Sequence, residues 1–294
     1  MKNINEQAQN KVNIVGKLLD ATFRTGTMKD GRPYESANLT IRVTQTFGGQ
    51  TEVSEIPVSM FAAKFTSKNL PNPSYEQIQE LKTMQTAQNV GIDNADTVRI
   101  GGATLQENSY VARSGQLVKT WRVNASFVGK VKASDIASFH EEIFIMDMHE
   151  EEDKDGDTTG RLVVRAGIVQ YKGKLDVVDF VVEQPDAVDF ISRNWEPNQT
   201  VNVAGRIRVT SKESHTSGNN SGWGEELPDT TTVYIRELII TTGDNEPHEE
   251  EFAYDPADIK KAFNVRQSMI EQMRVNATQA APKAEKTSTK YDWD

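Results

Sequence analysis

Leu39-Thr40-Ile41-Arg42-Val43, the turn Gly48-Gly49 and Thr51-Glu52-Val53-Ser54-Glu55-Ile56-Pro57-Val58 form the stretch on which the reading of this chain turns. Nearly the same pattern returns as Leu162-Val163-Val164-Arg165-Ala166, a turn at Gly173, and Leu175-Asp176-Val177-Val178-Asp179-Phe180-Val181-Val182. Each copy follows a Lys-Asp-Gly triplet, Lys29 to Gly31 and Lys154 to Gly156. Two period-two runs rich in β-branched residues, separated by a glycine turn, predict a hairpin in each copy. In each first strand the apolar residues share one parity, so Arg42 and Arg165 are expected on the opposite face.

Working outward, Val12 to Arg24 reads as a long first strand, with Gly16 allowing a bend or a close neighbour. After the hairpin, Ser74-Tyr75-Glu76-Gln77 resembles a capping box, and Ile78, Leu81 and Met84 give a helical stripe up to about Gln88. Strand four is expected from Thr97 to Leu105 and strand five from Leu117 to about Val131. Strand, hairpin, helix, hairpin is the order of a five-stranded Greek-key barrel of the OB type. The chain then repeats it: Phe127-Val128-Gly129-Lys130 echoes Ile14-Val15-Gly16-Lys17, and Val201-Asn202-Val203-Ala204-Gly205 echoes Val98-Arg99-Ile100-Gly101-Gly102. Matching these anchors puts an insertion near Ile143 to Glu152 in the second copy and a shorter helix at Pro185 to Arg193.

The expected fold class is therefore mainly β: two tandem OB barrels, a C-terminal helix and a disordered acidic tail. The first barrel is assigned to residues 1–125 and the second to 126–243. Residues 244–275 form an acidic linker and an amphipathic helix that starts at Asp255-Pro256 and carries Ile259, Phe263, Ile270 and Met273. Residues 276–294 are read as a disordered tether ending in Tyr291-Asp292-Trp293-Asp294.

Length and composition fit this division, since 294 residues suit about two domains. There is no cysteine, which excludes disulfides, thiolate chemistry and cysteine zinc sites and suits a reducing compartment. The polar Met1 to Asn10 stretch shows no signal peptide and no apolar run reaches membrane-spanning length, so the expected location is cytoplasmic, or the host cytoplasm for a viral protein. The net charge of −10 speaks against nucleic acid until its distribution is examined. Residues 1–126 hold 14 Lys+Arg against 11 Asp+Glu, and the remainder holds 19 against 32. The acid is segregated to the second part.

At Thr51 to Lys64, at Glu196-Pro197-Asn198-Gln199-Thr200-Val201-Asn202-Val203-Ala204-Gly205-Arg206-Ile207-Arg208, and at the tether with its acidic aromatic tip, the chain resembles the single-stranded-DNA-binding proteins of the bacterial and bacteriophage OB type. The first stretch is similar to that family's third strand and the second to its fourth. The resemblance implies a protein that coats single-stranded DNA during replication, recombination and repair. It also implies recruitment of replication and repair enzymes through Tyr291, Asp292, Trp293 and Asp294. Two barrels in one chain, and a tip ending in Trp-Asp where the bacterial form ends in Pro-Phe, depart from the common pattern. Both fit a virus-encoded member and leave a homo-oligomer open.

Binding single strands without sequence preference needs cations along the phosphates and aromatic faces for the bases. In the first barrel the candidates are Arg24, Lys29, Arg32 and Tyr34 around the first loop. Arg42, Phe61 and Lys64 join them on the hairpin, and Tyr110, Arg113, Lys119 and Trp121 on the connection between strands four and five. As strand aromatics, Phe61 and Trp121 serve either the face or the core. In the second barrel Arg165, Tyr171, Lys172 and Trp223 are candidates, with Arg206 and Arg208 as further cations. However, Asp179 and the run Glu150-Glu151-Glu152-Asp153 would repel phosphate, so the first barrel is expected to dominate.

Asp153-Lys154-Asp155-Gly156-Asp157 invites a calcium reading, but Thr158 and Val164 stand where an EF-hand loop needs glycine and glutamate. No cofactor, metal site or catalytic constellation is read from the sequence. The alternatives are a viral structural or assembly protein using the barrels as scaffold, and a metal-dependent nuclease acting through Asp153 and Asp155.

Overall fold

In the computed structural model, which describes residues 1–112, 115–216 and 229–280, a long first strand, β1 (Asn10–Thr27), sits between two neighbours along much of its length. It pairs with β2 (Pro33–Phe47), which continues through a Gly48-Gly49 turn into β3 (Gln50–Ala63). Both turn glycines have positive φ, which is why the tight reversal falls there. Ala37, Leu39 and Ile41 are buried, and so are Met60, Val58 and Ile56 opposite them, while Val43 is also buried and Arg42 takes the other parity. A Cβ on Gly16 would stand 2.2 Å from the Arg42 carbonyl oxygen, so the close approach of β1 and β2 depends on glycine.

Next come α1 (Pro73–Leu81), the one-turn α2 (Ala87–Val90) and β4 (Thr97–Glu107). The α1 cap is Asn72, whose side chain accepts from the Ser74 N–H at 3.1 Å, with Pro73 at the first helical position. The helix thus starts before the Ser74 cap expected from the sequence, because Asn-Pro supplies both signals earlier. Ile78 and Leu81 close the bottom of the core. The connection after β4 holds the short β5 (Tyr110–Val111), and the region expected to be one fifth strand, Leu117 to about Val131, is divided into β6 (Leu117–Val118), β7 (Trp121–Asn124) and β8 (Phe127–Lys130). Strand β7 pairs antiparallel with β4 and parallel with β3, and β4 pairs back onto β1. The ring β1-β2-β3-β7-β4 is therefore closed.

Strand β8 corrects the expected boundary. It pairs with β4, Val98 opposite Lys130, and extends the first unit instead of opening the second. The second ring begins at β9 (Ile136–Glu152), which runs straight through the segment read as an insertion. It continues with β10 (Thr158–Val169), β11 (Leu175–Val182), α3 (Pro185–Asn194), β12 (Thr200–Thr216) and β13 (Asp229–Gly243). Strand β9 pairs with β10 and β12, and β11 meets β13 in parallel, the same closure as in the first ring.

The rings are joined through their first strands, with Asn10 opposite Glu141 and Val15 opposite Ile136, so 11 strands form one continuous sheet. A second contact lies between β12 and β3. There Arg206 and Arg208 bond to Glu52, Arg208 at 3.2 Å, and the Val209 N–H donates to Ser54 Oγ at 3.2 Å. The supposed linker is also engaged: Asp244 accepts from the Asn202 N–H at 2.7 Å, and Tyr254 is buried with its hydroxyl donating to the Glu6 carbonyl at 2.8 Å.

The last helix, α4 (Pro256–Ala280), runs past the boundary drawn at residue 275. Asp255 caps it, accepting from the Ala257 N–H at 2.7 Å. Ile259 and Ile270 are buried and Phe263 partly so, but Met273 is exposed. In its place Arg266 reaches inward to Glu107, with Nε and Nη2 donating at 2.6 and 2.5 Å. No helix among the described residues is long and apolar enough to cross a membrane.

Candidate nucleic-acid interface

The outer face of β1, β2 and β3 is written in rows by the register. Arg24, Ser36 and Phe61 lie side by side, and Thr22, Asn38 and Ser59 form the next row. Ser59 is opposite Asn124, so the second row extends onto β7, and Arg122 follows on the same parity. Tyr34, diagonal to Phe61, stacks against it with ring centroids 5.0 Å apart. Phe61 is 58% exposed, unusual for a phenylalanine in the middle of a sheet.

The strand that carries these residues holds them firmly. A Cβ on Gly26 would come within 2.6 Å of the Tyr34 ring, so glycine there makes room for the tyrosine, whose plane is tilted 35° to that of Phe61. Beneath the face the buried Glu35 carboxylate is taken up by Lys82 and Gln79, and Lys82 also lies 5.6 Å from the centre of the Phe23 ring. Ser59 Oγ donates to Asn38 Oδ1 at 3.1 Å, and Asn124 bonds to Gln106. Such a face offers an open aromatic pair, neutral amides and hydroxyls, and cations at its edges. Arg24 and Arg122 are exposed and have no ion-pair partner among the described residues.

The other expected residues fall into three groups. Lys29, Lys64 and Tyr110 are exposed, Lys64 lying 5.7 Å from the Phe65 ring and Tyr110 on the small β5–β6 ladder opposite Val118. Lys119 is exposed on the same connection. Arg32 is partly spent at the loop: its Nη2 pairs with Asp30 at 2.7 Å and its Nη1 donates to the Phe65 carbonyl at 3.0 Å. This pairing holds the Asp30 carboxyl below its ordinary pKa and raises that of Arg32. Arg113, Trp223 and the tip Tyr291, Asp292, Trp293 and Asp294 lie outside the described residues.

The third group is corrected by the structure. Trp121 is 5% exposed and belongs to the core with Val123, because the parity of β7 sends 121 and 123 inward and 122 outward. Arg122 is the residue the sequence reading missed, and the inward alternation of Trp121, Val123 and Ala125 was the available signal. Arg42 does face outward, yet its Nη2 is paired with Glu55, directly opposite on β3, at 2.7 Å. Arg165 repeats this arrangement with Asp179, also directly opposite, at 2.9 and 3.2 Å. The carboxylate raises the pKa of Arg165.

Three further arginines of the second ring are neutralised in the same way. Arg206 binds Glu52 and Glu183 and lies 4.3 Å from the centre of the Phe47 ring. Arg208 binds Glu52, Glu183 and Glu237, and Arg161 binds Glu237 and Glu151. These arginines are joints between and within the rings, unavailable as a phosphate track. Tyr171 is exposed beside Lys172 in a one-turn 3-10 segment, Tyr171–Gly173, where Lys172 adopts φ of 61° and borders α4, away from the Arg165 row.

A family model described as YorF matches residues 8–276. Among curated proteins no match is found. The crystal structure of the wild-type single-stranded DNA binding protein from Thermus aquaticus aligns with a TM-score of 0.51 at 11% identity, covering 86% of this chain and 99% of that one. A deletion mutant of the same Thermus aquaticus protein gives a TM-score of 0.50 at 13% identity, covering 85% and 98%. At these identities the likeness establishes a shared mainly β fold.

Proposed function

This chain belongs to the YorF family, and we propose that it is a non-catalytic protein that coats single-stranded DNA without sequence preference. On this reading its two closed rings are tandem OB barrels, consistent with their strand order and with the likeness to the Thermus aquaticus protein. The observation that carries the proposal is the exposed Phe61, packed against the half-buried Tyr34 and flanked by Arg24, which has no ion-pair partner among the described residues, on the outer face of the first ring.

Bases stack on such rings whatever their identity, at about 1 to 3 kcal/mol per base, while cations follow the phosphates. Asn38, Ser59 and Asn124 leave the middle of the face neutral, so nothing on that row repels the backbone. Arg24, Lys29, Tyr34, Phe61, Lys64 and Arg122 are the contacts assigned to the strand. Tyr110, Lys119 and Arg113 extend them along the connection after β4. The second barrel then serves mainly to brace the first. The terminal Tyr291 to Asp294 would recruit enzymes that act on the coated strand.

The test is titration with fluorescent oligo-dT at two salt concentrations. Binding should weaken with salt at a slope of about −0.7 for each phosphate contacted. Preference for one duplex sequence, or indifference to salt, overturns the reading.

A further inference from the structure

Where the two rings and α4 meet, the surface opens into a cleft of about 310 Å³. Lys119 comes from the first ring, Arg165, Asp179 and Arg236 from the second, and Phe263 and Arg266 from the helix. Four cations and one carboxylate line it in a chain of net charge −10, with Glu107 holding Arg266 and Asp147 opposite Arg165 just outside the lining. Lys119 and Arg236 have no ion-pair partner among the described residues, whereas Arg161, Arg165, Arg193, Arg206 and Arg208 of the second ring are each paired. Glu237, the neighbour of Arg236 in sequence, is already held by Arg161 and Arg208.

The two paired arginines in the cleft still have donors to give. Arg165 uses Nε and Nη2 on Asp179, and Arg266 uses Nε and Nη2 on Glu107. In each the Nη1 amine has no hydrogen-bond partner among the described residues, while the carboxylate locks the guanidinium plane. Locked guanidinium edges beside two free cations suit a tetrahedral oxyanion with several acceptor oxygens.

We propose that this cleft is a phosphate-binding site through which a DNA single strand passes from the first ring onto the second. The proposal rests on the single-stranded-DNA reading of the outer face. The register supplies the route. From the Arg24–Ser36–Phe61 row the face continues through Ser59 and Asn124 to Arg122 on β7, and Lys119 precedes that strand on the same connection. A strand leaving the face past Arg122 meets Lys119 and then Arg236. The acid-rich second unit is thus crossed at a notch under α4 where Lys119 and Arg236 stand beside the paired Arg165, with Asp147 the outer carboxylate nearest to it on β9.

The experiment compares wild type with R236Q and K119Q/R236Q on two lengths of oligo-dT at two salt concentrations. The short oligomer is about 10 nucleotides, within the span of a single barrel, and the long one about three times that. R236Q should leave the short oligomer unaffected and lower the salt slope for the long one by about 0.7, the value of one phosphate. K119Q/R236Q should lower it further, and K119R/R236K should restore it, which separates charge from folding. If wild type binds the long oligomer and R236Q matches its affinity and slope, the cleft carries no phosphate. If wild type binds neither oligomer while its thermal melt is normal, the DNA reading falls and the cleft proposal with it.

Discussion

Arg42–Glu55 and Arg165–Asp179 occupy matching places in the two hairpins, yet the faces around them diverge. Strand β3 is 14 residues long and extends past its ion pair to Ser59 and Phe61, giving the face a neutral row and an open aromatic pair. Strand β11 is only 8 residues long and stops at Val182, followed within three residues by the proline that starts α3. The second hairpin therefore has no counterpart of the Phe61 row, and Asp147, His149 and Glu151 of β9 line its edge. A repeated hairpin pattern yields an open aromatic face in one copy and a charge-paired face in the other because of strand length and the sign of the neighbours.

The largest expected effect tests the bracing role. R206M/R208M should destabilise the fold by about 3 kcal/mol, since Arg206 and Arg208 both bind Glu52 and Glu183 and their joint loss leaves these carboxylates facing each other across the joint between the rings. R24M on the open face should change stability by less than about 0.5 kcal/mol. Urea denaturation of both variants measures the contrast, and equal midpoints would refute it.

Glu141 tests the seam between the rings. Both of its carboxylate oxygens are buried without a hydrogen-bond partner among the described residues, and burial pushes its pKa well above the ordinary carboxylate range. A carboxyl raised in the folded state is matched below the unfolded pKa, and its protonated form becomes a growing liability as pH rises above that value. Wild type should therefore lose stability between pH 4 and pH 8 through this group. E141Q should lose less, as read from thermal midpoints at the two ends; parallel profiles would place a partner on Glu141.

On the binding side, F61A should weaken oligo-dT binding by about 1 to 3 kcal/mol with little change in stability. Fluorescence anisotropy at constant salt gives the value, and an unchanged affinity would remove the stacking role from this face. The smallest effect is expected from D179N, which frees Arg165 without adding charge of its own. It should tighten binding of a long oligomer by up to about 1 kcal/mol, the scale of an exposed ion pair. A loss of affinity would show that the lock Asp179 places on the Arg165 guanidinium outweighs the charge it masks.

Alternation placed Leu39, Ile41 and Val43 in the core and Arg42 outside, because a period of two follows from the backbone alone. The same rule applied to β7 would have replaced Trp121 by Arg122, but the four-residue strand is too short for its parity to stand out from the surrounding loop. The boundary at residue 125 failed for a related reason. Phe127-Val128-Gly129-Lys130 resembles Ile14 to Lys17 in pattern, and β-branched runs of four recur wherever a strand is needed. Only its pairing with β4 shows which ring it joins.

By itself the sequence determined a duplicated β-rich architecture, the place of the hairpins and of the last helix, and the segregation of acid into the second part. These depend on local periodicity, turn residues and composition. Tertiary structure decided which cations are free. Arg42, Arg165, Arg206 and Arg208 each read as available charge until a carboxylate 13 to 156 residues away is brought against it. Charge availability is a property of pairs in space, and in a chain with more acids than bases the unpaired arginines are identified only when register and packing have assigned the rest.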